Sequence, residues 1–96
     1  MARHFKLTAD GGSRGNPGPA GYGAVVTESG KIVAELFDVI GTATNNVAEY
    51  SGLLAGLSHI HKLDAAATVE VAMDSKLVVE QMSNKLYLAY PGMRLV

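Results

Sequence analysis

The 96-residue sequence contains no cysteine and no tryptophan, only three prolines, and no apolar run approaching the length of a membrane span. Without cysteine there is no disulfide framework and no thiolate metal site, which fits a cytoplasmic protein. A spanning helix needs roughly 20 consecutive apolar residues, so no membrane partner is expected. After Met1-Ala2-Arg3-His4 the chain enters an alternating strand pattern at once, unlike a signal peptide. An excess of basic charge is also missing: eight Lys and Arg stand against nine Asp and Glu, a net charge of −1. Nucleic-acid binders usually carry a basic patch, so any phosphate contact here has to be local. What is present is a globular composition, 48% hydrophobic and 18% charged, read as one small domain over residues 1–96.

Phe5, Leu7 and Ala9 alternate with Lys6 and Thr8, the period of a strand with one face toward a core. That strand is expected to end at Asp10, before a loop through Gly11-Gly12-Ser13-Arg14-Gly15-Asn16-Pro17-Gly18-Pro19. Ala20 to Thr27 predicts a second strand, and Ile32 to Ile40 a third that returns as a hairpin after Glu28-Ser29-Gly30-Lys31. The period then changes to that of a helix. Val47, Tyr50, Leu54, Leu57 and His61 share one face, with Leu53 and Ile60 beside it. Thr44 or one of the two following Asn residues supplies the N-cap. Gly52 and Gly56 make a small-residue face that predicts close packing on the sheet. Thr68 to Met73 predicts a fourth strand, and Asp74 or Ser75 the cap of a second helix running to about Asn84. Lys85 to Val96 carries no clear signal.

Hairpin, helix, strand, helix in this order implies a mixed sheet. Strands one to three are antiparallel, strand four lies parallel to strand one, and the helices pack against them. Asp10 and Asp74 then emerge at the same sheet edge, the carboxyl ends of the strands, where ligand sites form in such folds. The helix over those strands can present Glu49 between them. Three carboxylates without Arg or Lys repel one another and call for a divalent cation. An all-oxygen donor set suits Mg²⁺ or Mn²⁺ better than Zn²⁺. Each residue also has a structural reading: Asp74 as an N-cap, Glu49 as a favourable charge near a helix start, Asp10 as a turn former. The Gly-rich loop is neither a Walker loop nor a dinucleotide fingerprint. His59 and His61 point to different helix faces, which favours surface or core-edge roles over metal binding.

Three blocks match a known pattern. Ala9-Asp10-Gly11-Gly12-Ser13-Arg14-Gly15-Asn16-Pro17-Gly18-Pro19-Ala20-Gly21-Tyr22-Gly23 resembles the opening motif of type 1 ribonuclease H. Thr44-Asn45-Asn46-Val47-Ala48-Glu49-Tyr50 resembles the second block of that family, and Met73-Asp74-Ser75-Lys76-Leu77-Val78 the third. The resemblance implies an endonuclease that hydrolyses the RNA strand of RNA/DNA hybrids, with Asp10, Glu49 and Asp74 holding two Mg²⁺ ions, for which Mn²⁺ can substitute. It also implies hybrid contacts from Asn16, Asn45 and Asn46, from loop amides at Gly12 and Gly15, and from Thr44 to a phosphate of the DNA strand.

The family continues with a further strand and a terminal helix that bring a fourth carboxylate. No Asp or Glu follows Glu80 and no His follows His61, so the final strand and helix are expected to be missing. The alternative function is then a catalytically weak or inactive hybrid-binding module. The free edge of strand four is the expected place for self-association or for a strand supplied by another chain.

Overall fold

A computed structural model describes residues 3–73 and 89–95. Its elements, in chain order, are β1 (His4–Ser13), β2 (Gly18–Glu28), β3 (Lys31–Ala43), α1 (Asn45–Leu63), β4 (Thr68–Ala72) and β5 (Arg94–Leu95). The sheet order is β3-β2-β1-β4-β5. β1, β2 and β3 are antiparallel neighbours, and β4 returns parallel to β1 with Phe5 opposite Val69 and Leu7 opposite Val71. This is the mixed sheet expected from the crossover through α1. The second helix expected from Asp74 to about Asn84 lies outside the described residues. Among them, no helix is long and apolar enough to cross a membrane.

The core lies between one face of the sheet and α1. Phe5, Leu7, Val26, Leu53, Leu57, Ile60 and Val69 are fully buried there. Each such side chain contributes about 1.5–3 kcal/mol relative to exposure. The buried stripe of α1 is Ala48, Gly52, Leu53, Gly56, Leu57 and Ile60, rotated from the expected face so that Val47 is left exposed. The glycines cause the rotation. A Cβ on Gly56 would lie 2.3 Å from Leu7 Cδ1, and one on Gly52 3.4 Å from the Asp10 carbonyl oxygen. The helix settles on β1 along its thinnest side.

Three further features have physical causes. β1 does not stop at Asp10; Gly11, Gly12 and Ser13 stay paired with Tyr22, Gly21 and Ala20 of β2. Strand pairing holds these glycines extended despite their weak intrinsic preference. In β3 a register shift between Val26 and Thr27 turns Ile32 outward, while Ala34 and Leu36 pack on the core. Finally, the expected free edge of strand four is partly covered. Arg94 pairs with Thr68 and Leu95 with Val69, a short fifth strand from a segment without a periodic signal. Met93, 3% exposed, anchors that segment in the core, and the Tyr90 ring lies 5.6 Å from that of His61.

The far end of the sheet is tied by Arg3. Its guanidinium donates to both carboxylate oxygens of Glu28, at 2.8 and 2.7 Å, and lies over the Phe5 ring. Its backbone N–H donates to Asp64, the C-cap of α1, at 2.8 Å. These bonds hold the Glu28 carboxyl below its ordinary range through Arg3, and that of Asp64 through the Arg3 and Ala66 amides.

Candidate active site

Asp10 sits inside β1, paired with Gly23, with an exposed side chain whose Oδ1 accepts the Gly11 N–H at 2.9 Å. The next residue sets the geometry. A Cβ on Gly11 would lie 2.4 Å from the Ala48 carbonyl carbon and 2.6 Å from the Glu49 nitrogen. The start of α1 therefore rests directly on the backbone beside Asp10, at a separation only glycine permits. Two of the three candidate carboxylates, Asp10 and Glu49, are brought to the same corner in this way. Asp74 lies outside the described residues. It follows Met73, which comes directly after β4, the parallel neighbour of β1.

Glu49 is half-buried, and its Oε2 is a buried oxygen with no hydrogen-bond partner among the described residues. A carboxylate oxygen withdrawn from water without a donor is costly, about 1–3 kcal/mol or more for a charged group. Such an atom, on a helix start seated against the backbone next to Asp10, suits a cation. The oxygen donors of Asp10 and Glu49 are of the kind a hard divalent ion takes; among the described residues no group of three or more His, Cys, Asp or Glu side chains gathers to hold one.

The candidate substrate residues form a second assembly along the same edge. Thr44 caps α1, its Oγ1 accepting the Val47 N–H at 3.2 Å. The Asn45 N–H, one of the donors a helix start leaves without an internal partner, goes to Asn16 Oδ1 at 3.1 Å. Asn45 Oδ1 accepts the Ser13 N–H at 2.8 Å and faces the Ser13 hydroxyl at 3.0 Å. Gly15 turns the loop with φ +88°, and its carbonyl oxygen accepts from the Ser13 hydroxyl. Gly12 is held in strand pairing opposite Gly21, and Asn46 is exposed in the first turn of α1. Asn45, Asn16, Ser13 and Gly15 are thus tied by hydrogen bonds, directly after the Thr44 cap. Sequence reading missed Ser13, since nothing local marks a residue whose partner lies 32 positions away.

The fold agrees with that of known proteins the chain is similar to. The RNase H family model matches residues 3–90, and the chain belongs to that family. The bifunctional protein Rv2228c of Mycobacterium tuberculosis is 57% identical over 89 residues, covering 91% of this chain and 24% of that protein. Its N-terminal RNase H domain, solved as a fusion with maltose-binding protein, superposes with a TM-score of 0.84 at 49% identity, covering 98% of this chain and 78% of that one. Ribonuclease HI of Halobacterium salinarum is 46% identical over 91 residues, covering 88% of this chain and 43% of the relative. The chain therefore spans about a quarter to under half of the length of these curated relatives. LC11-RNase H1, solved in complex with an RNA/DNA hybrid, gives a TM-score of 0.79 at 35% identity over 96% of this chain and 83% of that one.

Proposed function

We propose that this chain carries the hybrid-cutting core of a ribonuclease H, an endonuclease that hydrolyses the RNA strand of RNA/DNA hybrids with divalent ions. The observation that carries the reading is the buried Glu49 Oε2, without a hydrogen-bond partner among the described residues, on a helix start seated against the backbone next to Asp10, in a chain of the RNase H family. The hybrid-bound LC11-RNase H1 supports the choice of substrate.

Asp10 and Glu49, joined by Asp74, would hold two Mg²⁺ ions, or Mn²⁺ in their place. When bound, the ions supply an activated water and charge stabilisation at the scissile phosphate. Hydrolysis breaks the bond from phosphorus to the 3′ oxygen, leaving a 5′-phosphate and a 3′-hydroxyl. Glu49 reaches the reacting phosphate from the start of α1 and Asp10 from β1, so the Gly11 contact sets their spacing. Thr44 Oγ1 accepts from Val47, which leaves its hydroxyl proton to donate to a phosphate oxygen of the DNA strand. Asn16, Asn45 and Asn46, with the loop amides at Gly12 and Gly15, face the minor groove, where 2′-hydroxyls distinguish RNA from DNA. Contacts of this kind position the duplex and read little of its sequence.

A second reading, hybrid binding with weak or no turnover, needs only the Thr44, Asn16 and Asn45 assembly and no complete metal site. Incubation with an end-labelled hybrid in Mg²⁺ and then Mn²⁺ separates the two. The nuclease reading expects internal cuts in the RNA strand that end in 5′-phosphates, with single-stranded RNA untouched and EDTA abolishing the reaction. Retention of intact hybrid by folded protein would favour the binding module, and cutting in EDTA would contradict both readings.

A further inference from the structure

We infer that Ser13 is a positioning residue for hybrid recognition: it locks the Asn45 side chain with its carbonyl inward and its amide NH₂ outward. The inference rests on the hybrid reading above and deepens it. A backbone N–H can only donate, so the Asn45 atom 2.8 Å from the Ser13 nitrogen has to be the carbonyl oxygen. The Ser13 hydroxyl, 3.0 Å from the same oxygen, reinforces that choice whenever its single proton turns from the Gly15 carbonyl toward Asn45. With Oδ1 engaged on β1, the exposed Asn45 presents N–H donors to the outside.

Asn16 is turned the same way. Its Oδ1 accepts the Asn45 backbone N–H, which leaves its own NH₂ facing out. The edge beside Thr44 therefore displays two amide donor groups whose carbonyls are both tied inward. Its complement is a row of acceptors. The minor groove supplies them as purine N3 and pyrimidine O2, and the RNA strand adds 2′-oxygens. Free rotation of Asn45 would present its oxygen to those acceptors half the time, and Ser13 removes that option.

The test starts on the free protein. A scalar coupling across the hydrogen bond, between the Ser13 amide nitrogen and Asn45 Cγ, is expected in an NMR spectrum of labelled chain. Its absence would overturn the locked orientation whatever the function. Hybrid and DNA-duplex affinities are then measured by fluorescence anisotropy in Ca²⁺. Ser13→Ala keeps the backbone donor but loses the hydroxyl, and should weaken hybrid binding about three- to tenfold, the loss expected for one hydrogen bond. Ser13→Thr should restore it. Asn45→Asp, nearly the same shape, turns an acceptor outward and should lose at least tenfold on hybrid, lowering the hybrid-to-duplex ratio, with the thermal midpoint kept. Unchanged hybrid affinity in Ser13→Ala and Asn45→Asp, beside tight binding by the parent, would overturn the positioning role and leave the hybrid reading standing. A folded parent that binds no hybrid would overturn both.

Discussion

The backbones of Gly11 and Glu49 meet: a Cβ on Gly11 would lie 2.6 Å from the Glu49 nitrogen. That contact seats α1 on β1 and sets where the Glu49 carboxylate stands relative to Asp10. Gly11→Ala should therefore force the helix off the strand, at a cost of about 2–3 kcal/mol as for other overpacked sites. Gly12→Ala is the control, because a Cβ there meets nothing closer than Asn45 Oδ1 at 3.9 Å. Urea denaturation of the two variants should show a large loss for the first and a change within about 0.5 kcal/mol for the second.

Glu49 Oε2 is a buried oxygen that meets no hydrogen-bond donor among the described residues. Glu49→Gln should stabilise the metal-free protein by up to about 1 kcal/mol, since a neutral amide is cheaper to desolvate. The same change should remove the rise in thermal midpoint that Mn²⁺ gives the parent through binding the folded state. Midpoints measured with EDTA and with Mn²⁺ check both halves. An equal Mn²⁺ shift in parent and variant would remove Glu49 from the metal site.

Much of this architecture is legible in the sequence. The alternation Phe5-Leu7-Ala9 and the change of period at Val47 place strand and helix, and the length of the crossover makes β4 parallel to β1. The rest depends on contacts between distant residues. Gly11, Gly12 and Ser13 read as loop, but β2 pairs with them and extends the strand. Hydrophobicity alone aims α1 through Val47, whereas the Gly52 and Gly56 contacts decide which side touches the sheet. β5 is only two residues long and is recruited by Met93 and the β4 edge, too little for a periodic signal. Of the site, the residue types and their order are plain in the sequence. The Asn45 tether to Ser13 is not, because it exists only once loop and helix meet.

Acid should act first at the end of the sheet tied by Arg3. Glu28 and Asp64 have carboxyls held below their ordinary range by bonds from Arg3, with Ala66 also donating to Asp64. A lowered folded-state value means the contribution is present above the unfolded value of about 4 and is lost as pH falls through the folded value. Stability should therefore decline below about pH 4. Asp64→Asn and Glu28→Gln should each flatten that decline while leaving the pH 6–8 region nearly level. Thermal midpoints from pH 2.5 to 8 measure it, and an unchanged acid slope in both variants would count against the tie.

The outward side of β3 and the core should respond oppositely to truncation. Phe37 is 84% exposed on that side, whereas Leu53 is fully buried under α1. Phe37→Ala should change stability by no more than about 0.5 kcal/mol. Leu53→Ala should cost about 2–5 kcal/mol. Comparable losses in the two denaturation curves would mean that Phe37 is covered in solution.

The most direct test of the central claim is cleavage of a labelled RNA/DNA hybrid in Mg²⁺ by the parent and by Asp10→Asn, with hybrid affinity measured in parallel. The parent should cut the RNA strand and Asp10→Asn should not cut above background; the variant loses a charged ligand but keeps its shape, and should bind hybrid within about twofold of the parent, as expected where the Asn and loop contacts carry most of the binding. Cleavage by Asp10→Asn at the parent's rate would show that the β1–α1 corner is not where the hybrid is cut.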